Sequence, residues 1–130
     1  MNYNQIGILL GIFAIAFFGF TVKKVSNPYL KGIWNSAILV FTMYAALLIY
    51  IEIRWQFISD YAGKFDLNGN GFVDLNEYSE EAIKAMNRRT YGANIRLYAP
   101  LTMAVFSSII GFAYLLSDWT VTRFKNKEQK

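Results

Sequence analysis

The chain contains no cysteine and no histidine. Their absence excludes disulfides, thiolate nucleophiles, Cys/His zinc or iron–sulfur centres, and any imidazole acid/base device. Proline occurs only twice, at Pro28 and Pro100, so little interrupts long helical runs. Charge is scarce as well: Asp, Glu, Lys and Arg make up 17% of the residues against 55% hydrophobic ones. That scarcity is uneven, since residues 6–22, 33–51 and 97–117 carry no charged side chain. A bilayer core of ~30 Å needs about 20 apolar helical residues, and each stretch is close to that length. A soluble chain of this size has too few polar residues to cover three such helices.

These runs predict an all-α membrane protein with three transmembrane helices, at residues 5–22, 33–53 and 93–119. A basic polar tail follows over residues 120–130. No signal-peptide charge precedes the first run, which is therefore read as an uncleaved helix. Between residues 33 and 62 there is neither Gly nor Pro. The second helix is thus expected to run unbroken to about residue 65, well beyond the bilayer. Thr90, Tyr91, Gly92, Ala93 and Asn94 are expected to break the chain before the third span, with Pro100 in that span's first turn. Small residues offer faces for close helix packing against other membrane subunits: Gly7, Gly11 and Gly19 on the first span, Ala104, Ser108 and Gly111 on the third. Thr42, Thr102, Ser107 and Ser108 are expected to satisfy their hydroxyls on backbone carbonyls.

Beyond the second span lies Asp66-Leu67-Asn68-Gly69-Asn70-Gly71-Phe72-Val73-Asp74-Leu75-Asn76-Glu77. Counted from Asp66, oxygen-bearing side chains fall at positions 1, 3, 5, 9 and 12, with glycine at 6, the pattern a twelve-residue loop needs to wrap Ca²⁺. Ile58, Tyr61, Ala62 and Phe65 precede it at helical spacing. Leu75, Tyr78, Ala82, Ile83 and Met86 follow on one face. Asp74 and Glu77 stand in a capping-box relation. The stretch from about 58 to 86 resembles an EF-hand, within a unit spanning residues 54–92.

The resemblance implies metal ligands at Asp66, Asn68, Asn70, the Phe72 carbonyl, Asp74 and a bidentate Glu77. It also implies pairing with another hand through Val73. This chain has no second loop, so that hand would belong to another copy or another protein, or the hand would stand unpaired. Three carboxylates and two amides imply weak affinity, on the order of 10⁻⁴–10⁻³ M.

Lys23, Lys24 and Lys31, together with Arg123, Lys125, Lys127 and Lys130, are densest on one side. That density predicts the tail inside and the N-terminus and loop outside the cytoplasm or matrix, in a bacterial or organellar inner membrane. Trp34 and Trp119 are expected at one interface, Trp55 and Tyr98 at the other. The net charge of +4 sits next to the spans and suits lipid head groups, not nucleic acid. No catalytic constellation is present, and no charge lies inside the three apolar runs. Two functions are expected of such a chain: a non-catalytic accessory subunit stapled by Ca²⁺, or a Ca²⁺-responsive regulator acting through the second helix.

Overall fold

The computed structural model describes residues 1–71 and 73–128. It is all-helical, with no strand among those residues. The helices are α1 (Tyr3–Thr21), α2 (Pro28–Gly63) and α3 (Glu80–Glu128), joined by 3₁₀ turns at Val22–Lys24 and Leu75–Glu77. All three are long and apolar enough to cross a membrane.

Local chemistry explains where the helices begin. The Asn2 side chain accepts from the Gln5 N–H, and Gln5 returns a bond to the Asn2 N–H. This capping box starts α1 at Tyr3, two residues before the expected span. Asn27 caps Tyr29 and Leu30, while Pro28 occupies the first helical turn, where its missing N–H costs nothing. α2 therefore starts five residues before residue 33. It then runs unbroken to Gly63, about 54 Å at 1.5 Å per residue.

α3 departs from expectation. The predicted break at residues 90–94 does not occur, and one helix of 49 residues runs through both Gly92 and Pro100. Gly92 is a contact glycine: a Cβ there would meet the Trp55 ring at 3.3 Å and the Ile58 side chain at 3.7 Å. Its small size lets α2 and α3 approach, and that packing outweighs the ~1 kcal/mol helical penalty of glycine. Near Pro100, the Thr102 hydroxyl donates to the carbonyls of Tyr98 and Ala99, adding local hydrogen bonds beside the proline. Residues 120–128 of the tail also continue the helix. Lys84, Arg88 and Arg89, expected to close a short helix after the loop, instead lie near the start of this long one.

Packing is small and polar inside, large and apolar outside. The fully or nearly buried positions include Asn4, Gly7, Gly11, Ser36, Ala45, Leu48, Ser107 and Gly111. Leu9, Leu10, Phe13, Phe17, Phe20, Leu101, Ile109 and Phe112 face outward. Water would make such a surface prohibitive; lipid makes it neutral, and close packing then depends on small residues. Gly7 sits against Leu48 and Tyr44, Gly11 against Ala45, and Gly111 against Val40 and Ser36. These three glycines serve the chain's own helices. Gly19 has no neighbour within 4 Å of where a Cβ would stand, and Ser108 is exposed.

The helices alternate in direction. At one end Trp34 Nε1 donates to Thr21 Oγ1, and Trp119 Nε1 donates to the Tyr29 carbonyl at 3.1 Å. Tyr29 also meets Trp119 edge to face. Trp55 stands at the opposite end, over Arg96. The span from Trp34 to Trp55 along α2 is about 30 Å, the thickness of a bilayer's hydrocarbon core.

Candidate functional sites: the loop at the tip and the polar cluster at its base

The α2–α3 pair carries residues 64–79 at its tip, with α2 ending two residues before the expected residue 65. Asp66 holds the loop's first half: Oδ1 accepts from the Asn70 N–H at 3.2 Å and Oδ2 from the Gly71 N–H at 2.7 Å. Gly71 has φ of 90°, a left-handed conformation that glycine adopts at least cost. Asn68 Oδ1 also accepts from the Asn70 N–H. Asp74 Oδ2 receives both amide groups, Asn68 Nδ2 at 2.8 Å and Asn70 Nδ2 at 3.0 Å.

Glu77 bridges the loop's two ends. Its Oε1 accepts from the N–H groups of Leu67 and Asn68, and its Oε2 from that of Asp74. The capping box of Asp74 and Glu77 forms, but it opens the 3₁₀ turn Leu75–Glu77. α3 begins separately at Glu80, where Ser79 Oγ accepts from the Ala82 N–H.

Five of the six expected ligands, Asp66, Asn68, Asn70, Asp74 and Glu77, thus gather in one hydrogen-bonded loop. The sixth, the Phe72 carbonyl, lies outside the described residues. An all-oxygen donor set suits a hard divalent cation. As they stand, however, Asn68 and Asn70 turn nitrogen toward Asp74, and Glu77 faces backbone N–H groups. Among the described residues no three acidic, His or Cys side chains are close enough to hold a metal. Fitting an ion requires both amides to rotate and Glu77 to swing inward. Val73 is half-buried and lines a groove with Tyr78, Ile83 and Met86, while Leu67 and Leu75 are 80% and 83% exposed.

About three helical turns in from the end of α2 lies a cluster that the sequence alone did not reveal. Glu52 on α2 forms a two-pronged ion pair with Arg96 on α3: Nε donates to Oε2 at 2.8 Å, and a terminal nitrogen donates to Oε1. The same carboxylate accepts from Asn4 Nδ2 at 2.9 Å, Asn2 Nδ2 at 3.3 Å and Gln5 Nε2 at 3.4 Å. Asn4 is 1% exposed, and its Nδ2 also donates to the Leu48 carbonyl. Arg96 stacks 5.3 Å from the Trp55 ring centroid. All three helices are therefore tied at one carboxylate.

Glu52 and Arg96 each abut the end of an apolar run, so neither interrupts one. Their position on the same side of the bilayer, beside a leader rich in Asn and Gln, was the signal that could have found them. Elsewhere in the bundle Ser36 Oγ donates to the Gly111 carbonyl at 2.7 Å. Ser108 does bond its own helix, at Ala104 O. Ser107 does not: its hydroxyl is buried without a partner, as is Asn4 Oδ1.

Fold and site together define an all-helical protein with three helices able to span a membrane and a polar loop at one end. No protein-family model, characterised protein or solved structure matches the chain.

Proposed function

We propose that this is a Ca²⁺-binding integral membrane protein, acting as a non-catalytic accessory subunit of a larger membrane complex. In this reading Ca²⁺ bound by Asp66, Asn68, Asn70, Phe72, Asp74 and Glu77 stiffens the tip of the α2–α3 pair outside the cytoplasm or matrix. The observation that carries it is the gathering of five of those residues in one hydrogen-bonded loop, with Gly71 already in the left-handed conformation. Rotating two side-chain amides and one carboxylate is a small change beside folding a loop anew.

The docking face for other subunits would be the outward strip of α3 at Ala104, Ser108 and Phe112, with Gly19 on α1. The groove beside Val73 would receive a second hand. A regulator reading is also supported by one observation: α2 is a single rod from Pro28 to Gly63, linking the loop to the bilayer.

Melting of the purified protein in detergent, with Ca²⁺ and with EDTA, tests the metal. An ion at 100 times its Kd adds about 2.7 kcal/mol, and Glu77→Gln should remove most of that gain. No Ca²⁺-dependent shift in the unaltered chain would sink the metal reading. Native mass in mild detergent separates the roles. A stable assembly with other membrane chains, unaltered by EDTA at the bilayer level, fits the accessory role. A lone chain whose membrane helices move on Ca²⁺ addition fits the regulator.

A further inference from the structure

A second feature lies between α2 and α3 and does not depend on the loop reading. Between α2 and α3, from the level where Glu52 pairs with Arg96 outward, opens a cavity of about 660 Å³. Its inner end is apolar, formed by Tyr50 and Ile51 on α2 and Ile95 on α3; Trp55 and Tyr91 form its middle. Arg54 stands beside Trp55 in that middle stretch, and Arg88 on the facing helix stands at the outer side with Ile58.

Neither arginine makes an ion pair or hydrogen bond with the described residues, although Asp60 lies on the same stretch of α2. Two like charges left beside one cavity repel each other unless an anion joins them. The polarity gradient then selects the anion. A soluble phosphate needs only the arginines and gains nothing from an aromatic and aliphatic floor. A phospholipid needs both, and the cavity has its apolar end at Tyr50, Ile51 and Ile95 toward the membrane-spanning stretch, with both arginines outward of it. Aromatic rings at Tyr50, Trp55 and Tyr91 are suited to that boundary.

We propose that this cavity is a binding site for one anionic phospholipid. Arg54 and Arg88 hold its phosphate, and the upper part of an acyl chain lies along Ile95 and Ile51. Guanidinium groups suit the task because each can donate two parallel hydrogen bonds to phosphate oxygens.

The test is native mass spectrometry of the full chain, delipidated and then incubated with phosphatidylglycerol or phosphatidylcholine. The expected result is one retained phosphatidylglycerol and no retained phosphatidylcholine. Arg54→Gln with Arg88→Gln should weaken retention about tenfold or more. Arg54→Lys with Arg88→Lys keeps the charge and should retain the lipid more weakly than the wild type, which guards against loss through misfolding. Lys23→Gln with Lys24→Gln removes equal charge at the far end and should leave retention unchanged. Equal loss in that control, equal binding of phosphatidylcholine, or displacement of the lipid by millimolar inorganic phosphate would overturn the proposal.

Discussion

Glu52 does the most connecting of any side chain in the bundle. It accepts from Asn2, Asn4, Gln5 and Arg96, and those residues come from both other helices. Hydrogen bonds to a charged group contribute about 1.5–3 kcal/mol each at most sites. Glu52→Gln keeps the shape but strands Arg96, so we expect a loss of about 2–3 kcal/mol in reversible unfolding in detergent. The double change Glu52→Gln with Arg96→Gln should cost less than the sum of the two single changes, because each alone leaves a partner unpaired. Additive losses would show that the pair contributes nothing as a pair.

Glycines are equally discriminating at this scale. A Cβ on Gly111 would overlap Val40, a side chain stiff at χ1, with the Ser36 backbone close behind. Gly111→Ala should therefore cost about 1–3 kcal/mol through overpacking. Gly19→Ala meets open space and should stabilise α1 by up to about 1 kcal/mol. Thermal melts of the two variants read the difference directly.

At the scale of elements, the loop and the long helices behave differently. The loop's bonds are mostly side chain to backbone and exposed, and bonds open to water contribute little net stability. Its stiffness should thus depend on whether an ion is present. We expect amide exchange at Leu67, Asn68, Asn70 and Gly71 to slow on Ca²⁺ addition in the wild type but not in Asp66→Asn. Unchanged exchange in both would remove the loop from any metal role. The exposed Glu80–Lys84 pair, at 3.8 Å, forms as its spacing suggests and is worth only about 0.3–0.5 kcal/mol. α3 carries a different expectation. Gly92→Leu pushes against Trp55, so it should separate α2 from α3 above the bilayer and weaken the Arg96–Trp55 stack. Quenching of Trp fluorescence would report it.

Over the whole molecule, alternation of the three helices puts the N-terminal turn and the loop at one end, and the Ser26-Asn27-Pro28 turn with the end of α3 at the other. The absence of cysteine makes the orientation directly measurable. Single substitutions Ser79→Cys and Ser26→Cys, probed with a membrane-impermeant maleimide on intact cells or organelles, should label only at Ser79→Cys. Basic residues crowd the Ser26 end, which is why that end is expected inside; the reverse pattern would invert the topology.

Much of the fold was legible in the residues. Apolar runs of bilayer length are a local, additive property, so three candidate spans and the unbroken rod through residue 62 could be read directly, whereas the third helix runs far past the expected 93–119 on both sides. The loop's oxygen spacing and Gly71's turn were equally local. The behaviour of Gly92 was not. Glycine reads as a helix breaker until a neighbouring Trp55 is known to need its missing side chain, and only tertiary packing supplies that neighbour. The same reason hid Glu52 and Arg96, which lie 44 positions apart and look like ordinary ends of apolar runs until antiparallel helices bring them together. By itself the sequence determined which segments are apolar enough to prefer lipid and where oxygen-bearing side chains crowd into one loop, because both follow from neighbours along the chain. Only the tertiary structure decided which glycines meet a helix, which charges pair and which arginines are left facing a cavity, because those depend on contacts between residues far apart in sequence.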